Sequence, residues 1–307
     1  MNVVGLGGGH GLSRALAALR LLGECPTAVV TVADDGGSSG RLREEHGVVA
    51  LGDMRMALFT LAEHAELAPL VQHRFGAGEL KGHALGNLFL LALLEMSDGD
   101  LVTALDRAAA LLQCAGRVLP STTEAVQLHA RVGDHEVGGQ VRVATASGPV
   151  HRVWLEPDAP AACAPAVAAL DDADVVVLGP GSLFTSILAT LLVPGIAAAV
   201  TGGSARVVVI GNLLTQPGET SDFDTSAHID ALLAHVPALR VDTVLLHDGP
   251  PVAGTGRPLG TQVSHPSVGR VVTADLALRG PEGEALPVHD PRRLADALQP
   301  LLAPPAG

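Results

Sequence analysis

Short apolar runs and apolar stripes of helical period alternate along most of the chain. Asn2-Val3-Val4-Gly5-Leu6 and Ala28-Val29-Val30-Thr31-Val32 read as buried strands, as do Asp174 to Leu178, Val207 to Ile210 and Val241 to Leu246. Between them Leu12, Leu16 and Leu19 recur at helical spacing, with Ser13 as a cap and Gly23 as the stop. Asp53 is expected to cap a helix carrying Met54, Leu58 and Leu61, and Asp100 one from Leu101 to Gln113. His83 to Met96 reads as a buried helix with Leu88, Leu91 and Leu94 inside. Leu183 to Val193 is a helix stopped by Pro194, Thr225 to His235 is another, and Asp290-Pro291 opens a last one. From Glu124 to Trp154 the period drops to two: Val126, Leu128, Ala130 and Val132 alternate with polar residues, and Val141 and Val143 flank Arg142. That stretch, about 124–155, is expected to be a small antiparallel β insertion. Residues 1–307 then form one α/β domain, a doubly wound, mostly parallel sheet covered on both faces.

Composition narrows the function. Apolar residues make up 48% of the chain, enough for a sizeable core. A net charge of −13 argues against nucleic-acid binding, and 2% aromatics with a single tryptophan, Trp154, leave few stacking platforms. Cys25, Cys114 and Cys163 are too scattered for a disulfide framework or a metal motif and read as small buried hydrophobes. The uncharged run from Val175 to Ala205 is broken by Gly179-Pro180-Gly181-Ser182 and Pro194-Gly195 into pieces too short to span a bilayer. No basic leader precedes the first strand, so a soluble cytoplasmic protein is expected.

Two glycine-rich loops follow the first two strands. Five glycines fall within Gly5-Leu6-Gly7-Gly8-Gly9-His10-Gly11, just before a helix start. Spacing that dense suits backbone N–H groups closing on a phosphate, helped by about half a positive charge at the helix N-terminus. The dinucleotide fingerprint is broken, because His10 or Leu12 stands where its third glycine belongs, and this weakens a nicotinamide-enzyme reading. His10 is either a phosphate donor or a structural hydrogen-bonder. In Asp34-Asp35-Gly36-Gly37-Ser38-Ser39-Gly40-Arg41 the acids bind ribose hydroxyls or hold Mg2+ against a diphosphate, and a solvated turn is the plain alternative. Gly179-Pro180-Gly181-Ser182 before another helix is a second candidate anion loop. His83 with Asn87, one helical turn apart, and Gly211-Asn212 at a strand end are weaker candidates. No nucleophile constellation stands out.

Together these segments resemble the CofD-like family, and within it the YvcK group of gluconeogenesis factors. The resemblance rests on Gly7-Gly8-Gly9-His10-Gly11-Leu12, on Val30 to Arg43, and on Gly52-Asp53-Met54-Arg55. It is carried further by Gly82-His83 with Gly86-Asn87, by Val118-Leu119-Pro120 with Thr123, and by Gly179-Pro180-Gly181-Ser182. Gln216-Pro217-Gly218-Glu219-Thr220, Ala274-Asp275-Leu276 and His289-Asp290-Pro291 complete it. His10, where many members have threonine, is similar to the actinobacterial branch.

The resemblance implies a Rossmann-like fold and a cytoplasmic protein that binds UDP-sugars such as UDP-N-acetylglucosamine, needed for cell shape and wall synthesis during gluconeogenic growth. The CofD branch instead transfers a phospholactyl group from a guanosine-diphosphate donor to a deazaflavin, using Mg2+. That branch carries Gly-Pro-Ser-Asn-Pro where this chain has Gly179-Pro180-Gly181-Ser182-Leu183, a departure that counts against transfer but not against diphosphonucleotide binding. On this reading Gly8, Gly9, Gly11 and Ser13 cradle one phosphate, with His10 beside them. Asp34, Asp35, Gly37 and Ser38 hold ribose, a metal or the second phosphate, with Asn87 nearby. Gly181, Ser182 and Asn212 close the crevice on the sugar side, and Gly179 of the same loop is a further ligand-binding candidate. The resemblance fixes no cofactor; the ligand it implies is a UDP-sugar, with Mg2+ on Asp34 and Asp35 only if a metal is used. A protein partner in wall-precursor metabolism and a homodimer are compatible with the resemblance; nucleic acid and membrane are not expected.

Overall fold

The computed structural model describes residues 1–64 and 67–303. β1 (Val3–Gly7), α1 (Gly9–Leu21) and β2 (Thr27–Val30) open the chain. Then come α2 (Gly37–His46), α3 (Gly52–Leu61), α4 (Leu67–Gln72), α5 (Leu85–Glu95), α6 (Leu101–Leu111) and β3 (Arg117–Pro120). An insertion follows, made of β4 (Gln127–Val132), β5 (His135–Gly138), α7 (Gln140–Ala144) and β6 (Val150–Glu156). α8 (Ala164–Asp171) leads to β7 (Val175–Leu178), a π-helical turn (Leu183–Leu188) that runs on into α9 (Ala189–Leu191), and α10 (Pro194–Gly202). β8 (Arg206–Ile210), α11 (Thr225–His235), β9 (Val241–His247) and β10 (Val268–Ala274) complete the main sheet. A hairpin of β11 (Ala277–Arg279) and β12 (Ala285–His289) precedes α12 (Pro291–Leu302).

The main sheet is parallel throughout, in the order β10-β9-β8-β7-β1-β2-β3. Winding runs outward in both directions from the β1–β7 pair, which makes that boundary the topological switch point of a Rossmann-like fold. Side chains alternate between the sheet's faces, and both faces are buried. Val175 and Val177 of β7 join a core with Ala15, Ala18 and Leu19 of α1 and Leu294, Leu298 and Leu301 of α12. Val176 and Leu178 point the other way, into the core that holds Leu58, Phe59 and Leu90. Each such leucine contributes about 1.5–3 kcal/mol through burial. β4, β5 and β6 form the expected antiparallel insertion.

Several local expectations change. Val141 and Val143 lie in helix α7, because Gly139 at φ 103° turns the chain and the Asp35 carboxylate takes the Val141 N–H at 2.9 Å. Gly8, not Ser13, is the N-cap of α1; the Ser13 hydroxyl donates back to the Gly9 carbonyl. Leu51 is the N-cap of α3, which puts Asp53 in its first turn. Pro194 begins α10 rather than only ending the previous helix, its missing N–H costing nothing in a first turn. The helix read from His83 starts at Leu85. Cys25 is exposed, not buried. Edge strand β10 and the β11–β12 hairpin carry too few buried positions for the alternation to reveal them. Asp100, Asp224 and Asp290 each cap a helix through a side-chain bond. Among the described residues no single helix is long and apolar enough to cross a membrane; the uncharged stretch bends by 80° between Leu191 and Pro194.

Candidate functional site

The first loop leaves β1 at the switch point and turns directly into α1. Gly9 adopts φ +64° with open space where a side chain would stand. Gly11 has no such space: a methyl group there would collide with the Pro180 carbonyl and the Gly181 Cα of the loop after β7. The two strand ends therefore touch, and only glycine allows it. A methyl on Gly8 would likewise meet the Asp53 carboxylate and the Thr31 methyl.

Two cavities flank this contact. The larger, about 870 Å³, is lined by Gly9, His10, Ser13, Arg14, Asp34, Gly36 to Ser39, Gly52, Asp53, Arg55, Met56, Phe59, Gln72, Arg74 and Asn87, among others. The smaller, about 520 Å³, is walled by Gly11, Pro180, Gly181, Asn212 to Pro217, Gly254 to Gly256 and Pro287 to His289. His10 and Arg14, one turn apart on α1, line both, so the cavities meet over the tip of that helix.

Most of the expected residues line one or the other cavity. Gly9, His10, Ser13, Asp34, Gly37, Ser38 and Asn87 line the larger cavity, and His10, Gly11, Gly181 and Asn212 the smaller. Gly8, Asp35, Gly179 and Ser182 line neither. Asp35 is turned toward α7, where it holds the insertion, so Asp34 and Asp35 do not form a paired carboxylate site. Asp34 instead faces Asp53. The Asp53 carboxyl is pushed up to about 7 by burial and by the Asp34 charge, against the pull of the Gly9 N–H and Arg55. Two hard oxygen donors with one charge too many between them suit a divalent cation such as Mg2+. No group of three or more His, Cys, Asp or Glu gathers among the described residues, so the remaining ligands of such an ion would be phosphate and water.

Ser38 does not act as a free hydroxyl. Its Oγ accepts from Asn87 Nδ2 at 3.0 Å and from the Ala84 N–H at 3.3 Å, which sends its own proton to His83 Nδ1 at 3.1 Å. His83 is thereby kept neutral with its proton on Nε2; burial and then the Arg41 charge lower its pKa. The His83–Ser38–Asn87 chain ties the start of α2 to the start of α5.

The second loop is also committed internally. Asn212 clamps the Gly181 peptide, with Nδ2 donating to its carbonyl at 2.8 Å and Oδ1 accepting its N–H at 3.1 Å. Gln216 Nε2 donates to Ser182 Oγ at 2.9 Å. The buried Glu219 carboxylate accepts the Phe184 N–H and the Thr185 hydroxyl, at 3.3 and 2.8 Å. The chain's own carboxylate thus occupies the helix start that was expected to bind a ligand anion. Burial raises the Glu219 pKa, and these donors counter it.

Asp53, Arg55, Arg14 and Arg74 were not singled out from spacing. For Asp53 and Arg55 the signal was Gly52-Asp53-Met54-Arg55 itself, an acid and a base in one first turn after an apolar run. Arg14 was readable as the residue one turn beyond His10.

Comparison with known proteins identifies the family. The family model described as 2-phospho-L-lactate transferase CofD matches residues 3–264. A putative gluconeogenesis factor of Mycobacterium tuberculosis is 44% identical over 319 residues, covering 100% of this chain and 92% of that protein. A gluconeogenesis factor of Halalkalibacterium halodurans is 42% identical over 257 residues, covering 83% of this chain and 79% of that protein. A crystal structure of a UPF0052-family protein from Bacillus halodurans superposes with a TM-score of 0.88 at 35% identity, covering 97% of this chain and 99% of that one. The family-model match, the identity over the whole chain and the shared fold place the chain in the CofD-like family, among its gluconeogenesis factors.

Proposed function

We propose that this chain binds a UDP-sugar of the UDP-N-acetylglucosamine kind as a cytoplasmic regulator of cell shape and wall synthesis under gluconeogenic growth. The observation that carries the reading is the meeting of two cavities over the amide-bearing tip of α1, with His10 and Arg14 common to both. A diphosphate at that tip sends its nucleoside one way and its sugar the other. The smaller cavity has walls of main chain, Leu213, Leu214, Pro217 and Pro287, and its Asn212 amide is spent on Gly181. Those walls suit a nucleoside. The hydroxyl-rich sugar fits the charged larger cavity, the reverse of the side expected for Gly181, Ser182 and Asn212.

A second reading is a CofD-like transferase that uses a nucleoside-diphosphate donor and Mg2+. It draws support from the Asp34–Asp53 pair, which would hold the cation; the cation would supply charge neutralisation at the diphosphate. Thermal shift across UDP, GDP and NAD compounds separates these readings. UDP-N-acetylglucosamine at about 100 times its dissociation constant is expected to add about 2.7 kcal/mol of stability. A shift with GDP compounds alone would sink the UDP reading, and product formed on a deazaflavin acceptor would establish the transferase.

A further inference from the structure

His289 lies in the wall of the smaller cavity, 6% exposed, at the last position of β12. Its backbone is fixed on both sides. His289 pairs with Ala277 across the β11–β12 hairpin, and the next N–H, that of Asp290, donates to the Leu276 carbonyl at 2.8 Å. The ring is fixed as well. Nε2 lies 3.2 Å from the Gly211 carbonyl, which can only accept, so the neutral ring carries its proton on Nε2. Burial, and then the proximity of His247 and Arg14, lower its pKa to about 4 against the pull of the Gly211 carbonyl. Nδ1 is therefore a lone-pair acceptor near neutral pH. It makes no hydrogen bond among the described residues and is not sealed off by protein.

Other polar side chains in this wall are spent within the protein. Asn212 holds the Gly181 peptide, Gln216 donates to Ser182, and the Thr215 hydroxyl accepts the Arg257 N–H at 3.0 Å. His10 and Arg14 sit at the tip of α1, where the diphosphate is placed. What remains is Thr255, whose hydroxyl either donates or accepts, and His289, whose free nitrogen only accepts. No carboxylate lines the cavity among the described residues. Guanine offers a ring N–H and an amino group side by side, a pair that a carboxylate would take; uracil offers one imide N–H between two carbonyls. Cytosine has a lone pair where uracil has that N–H.

We propose that His289 is a specificity-determining residue of the nucleoside side of the site: its Nδ1 accepts the imide N–H of the base, and so selects uracil over cytosine. The proposal rests on the nucleotide-sugar reading and deepens it. A buried acceptor facing a second lone pair is left unpaired, and a site built around one hydrogen bond rejects the ligand that cannot make it. The hairpin pairing and the Gly211 bond hold the ring in place before any ligand arrives.

Calorimetry on the full chain tests this with UDP, CDP and 3-methyl-UDP, which carry the same diphosphate. The parent is expected to bind UDP about tenfold or more tighter than either of the others. Two variants separate reading the base from merely supporting Gly211. The amide of His289→Gln falls near the Nε2 position, where it can still donate to Gly211, but nothing replaces Nδ1. The amide of His289→Asn falls near Nδ1 and restores an acceptor there, without the Gly211 bond. The ratio of UDP to CDP affinity is expected to collapse toward one in His289→Gln and to persist in His289→Asn. A ratio kept in His289→Gln, or lost equally in both variants, overturns the proposal and leaves the nucleotide-sugar reading standing. Should His289→Gln fail to fold, the parent alone carries the test: 3-methyl-UDP or CDP bound as tightly as UDP overturns the role of Nδ1. Failure of every uridine compound to bind the parent overturns the nucleotide-sugar reading, and the proposal falls with it.

Discussion

Asp34 and Asp53 lie on different elements, one after β2 and one in the first turn of α3, yet they share a cavity wall and a charge problem. With its pKa raised from 3.8 to about 7, Asp53 holds its proton more tightly in the folded chain than in the unfolded one. Its contribution to stability is complete below about pH 4 and is lost as pH rises through about 7. His289 works in the opposite direction: burial lowers it to about 4, so its neutral form costs stability as pH falls below its unfolded value. Asp53→Asn removes only the first effect. Urea unfolding from pH 4 to 8 is therefore expected to show the variant gaining on the parent as pH rises, by on the order of a few kcal/mol. Mg2+ at pH 8 should stabilise the parent and not the variant. Identical pH profiles would mean that the two carboxylates do not share this wall.

Among the elements, the loop after β7 is the one whose role changed most between sequence and structure. Its strand–glycine–helix pattern matches that of the first loop, and nothing in the local residues distinguishes them. The difference comes from Glu219 and Asn212, far along the chain, which occupy the helix start and the Gly181 peptide. Long-range occupancy of this kind has no periodic signature. By contrast the caps at Asp100 and Asp290, the stripe Leu12, Leu16, Leu19 and the strands flanking the switch point were readable because each is a local rule obeyed locally. Glu219→Ala is expected to cost about 1–3 kcal/mol, by leaving the Phe184 N–H and Thr185 hydroxyl unpaired in a buried site. It should also weaken UDP binding by loosening the loop that supports Gly11. Thermal melts with and without UDP measure both; a variant as stable and as tight-binding as the parent would show that Glu219 does not hold the loop.

For the whole molecule, the sheet order and the glycine contact between Gly11 and Gly181 fix where a ligand can sit, while Pro287 to His289 of the β11–β12 hairpin wall the smaller cavity. The fold class was legible because both faces of the sheet are buried, which writes continuous apolar strands into the sequence. The cavity's charged lining was only half legible. Asp34 and His10 stand beside glycine runs that attract attention, whereas Arg55 follows only the single Gly52 and Arg74 lies in a segment with no motif. The most direct test of the account is a crystal structure of the chain with UDP-N-acetylglucosamine bound. The expected result is a diphosphate on the amides of His10 and Gly11 at the tip of α1, with nucleoside and sugar in the two cavities. A diphosphate bound away from that tip, or two unchanged and unoccupied cavities at saturating ligand, would contradict it.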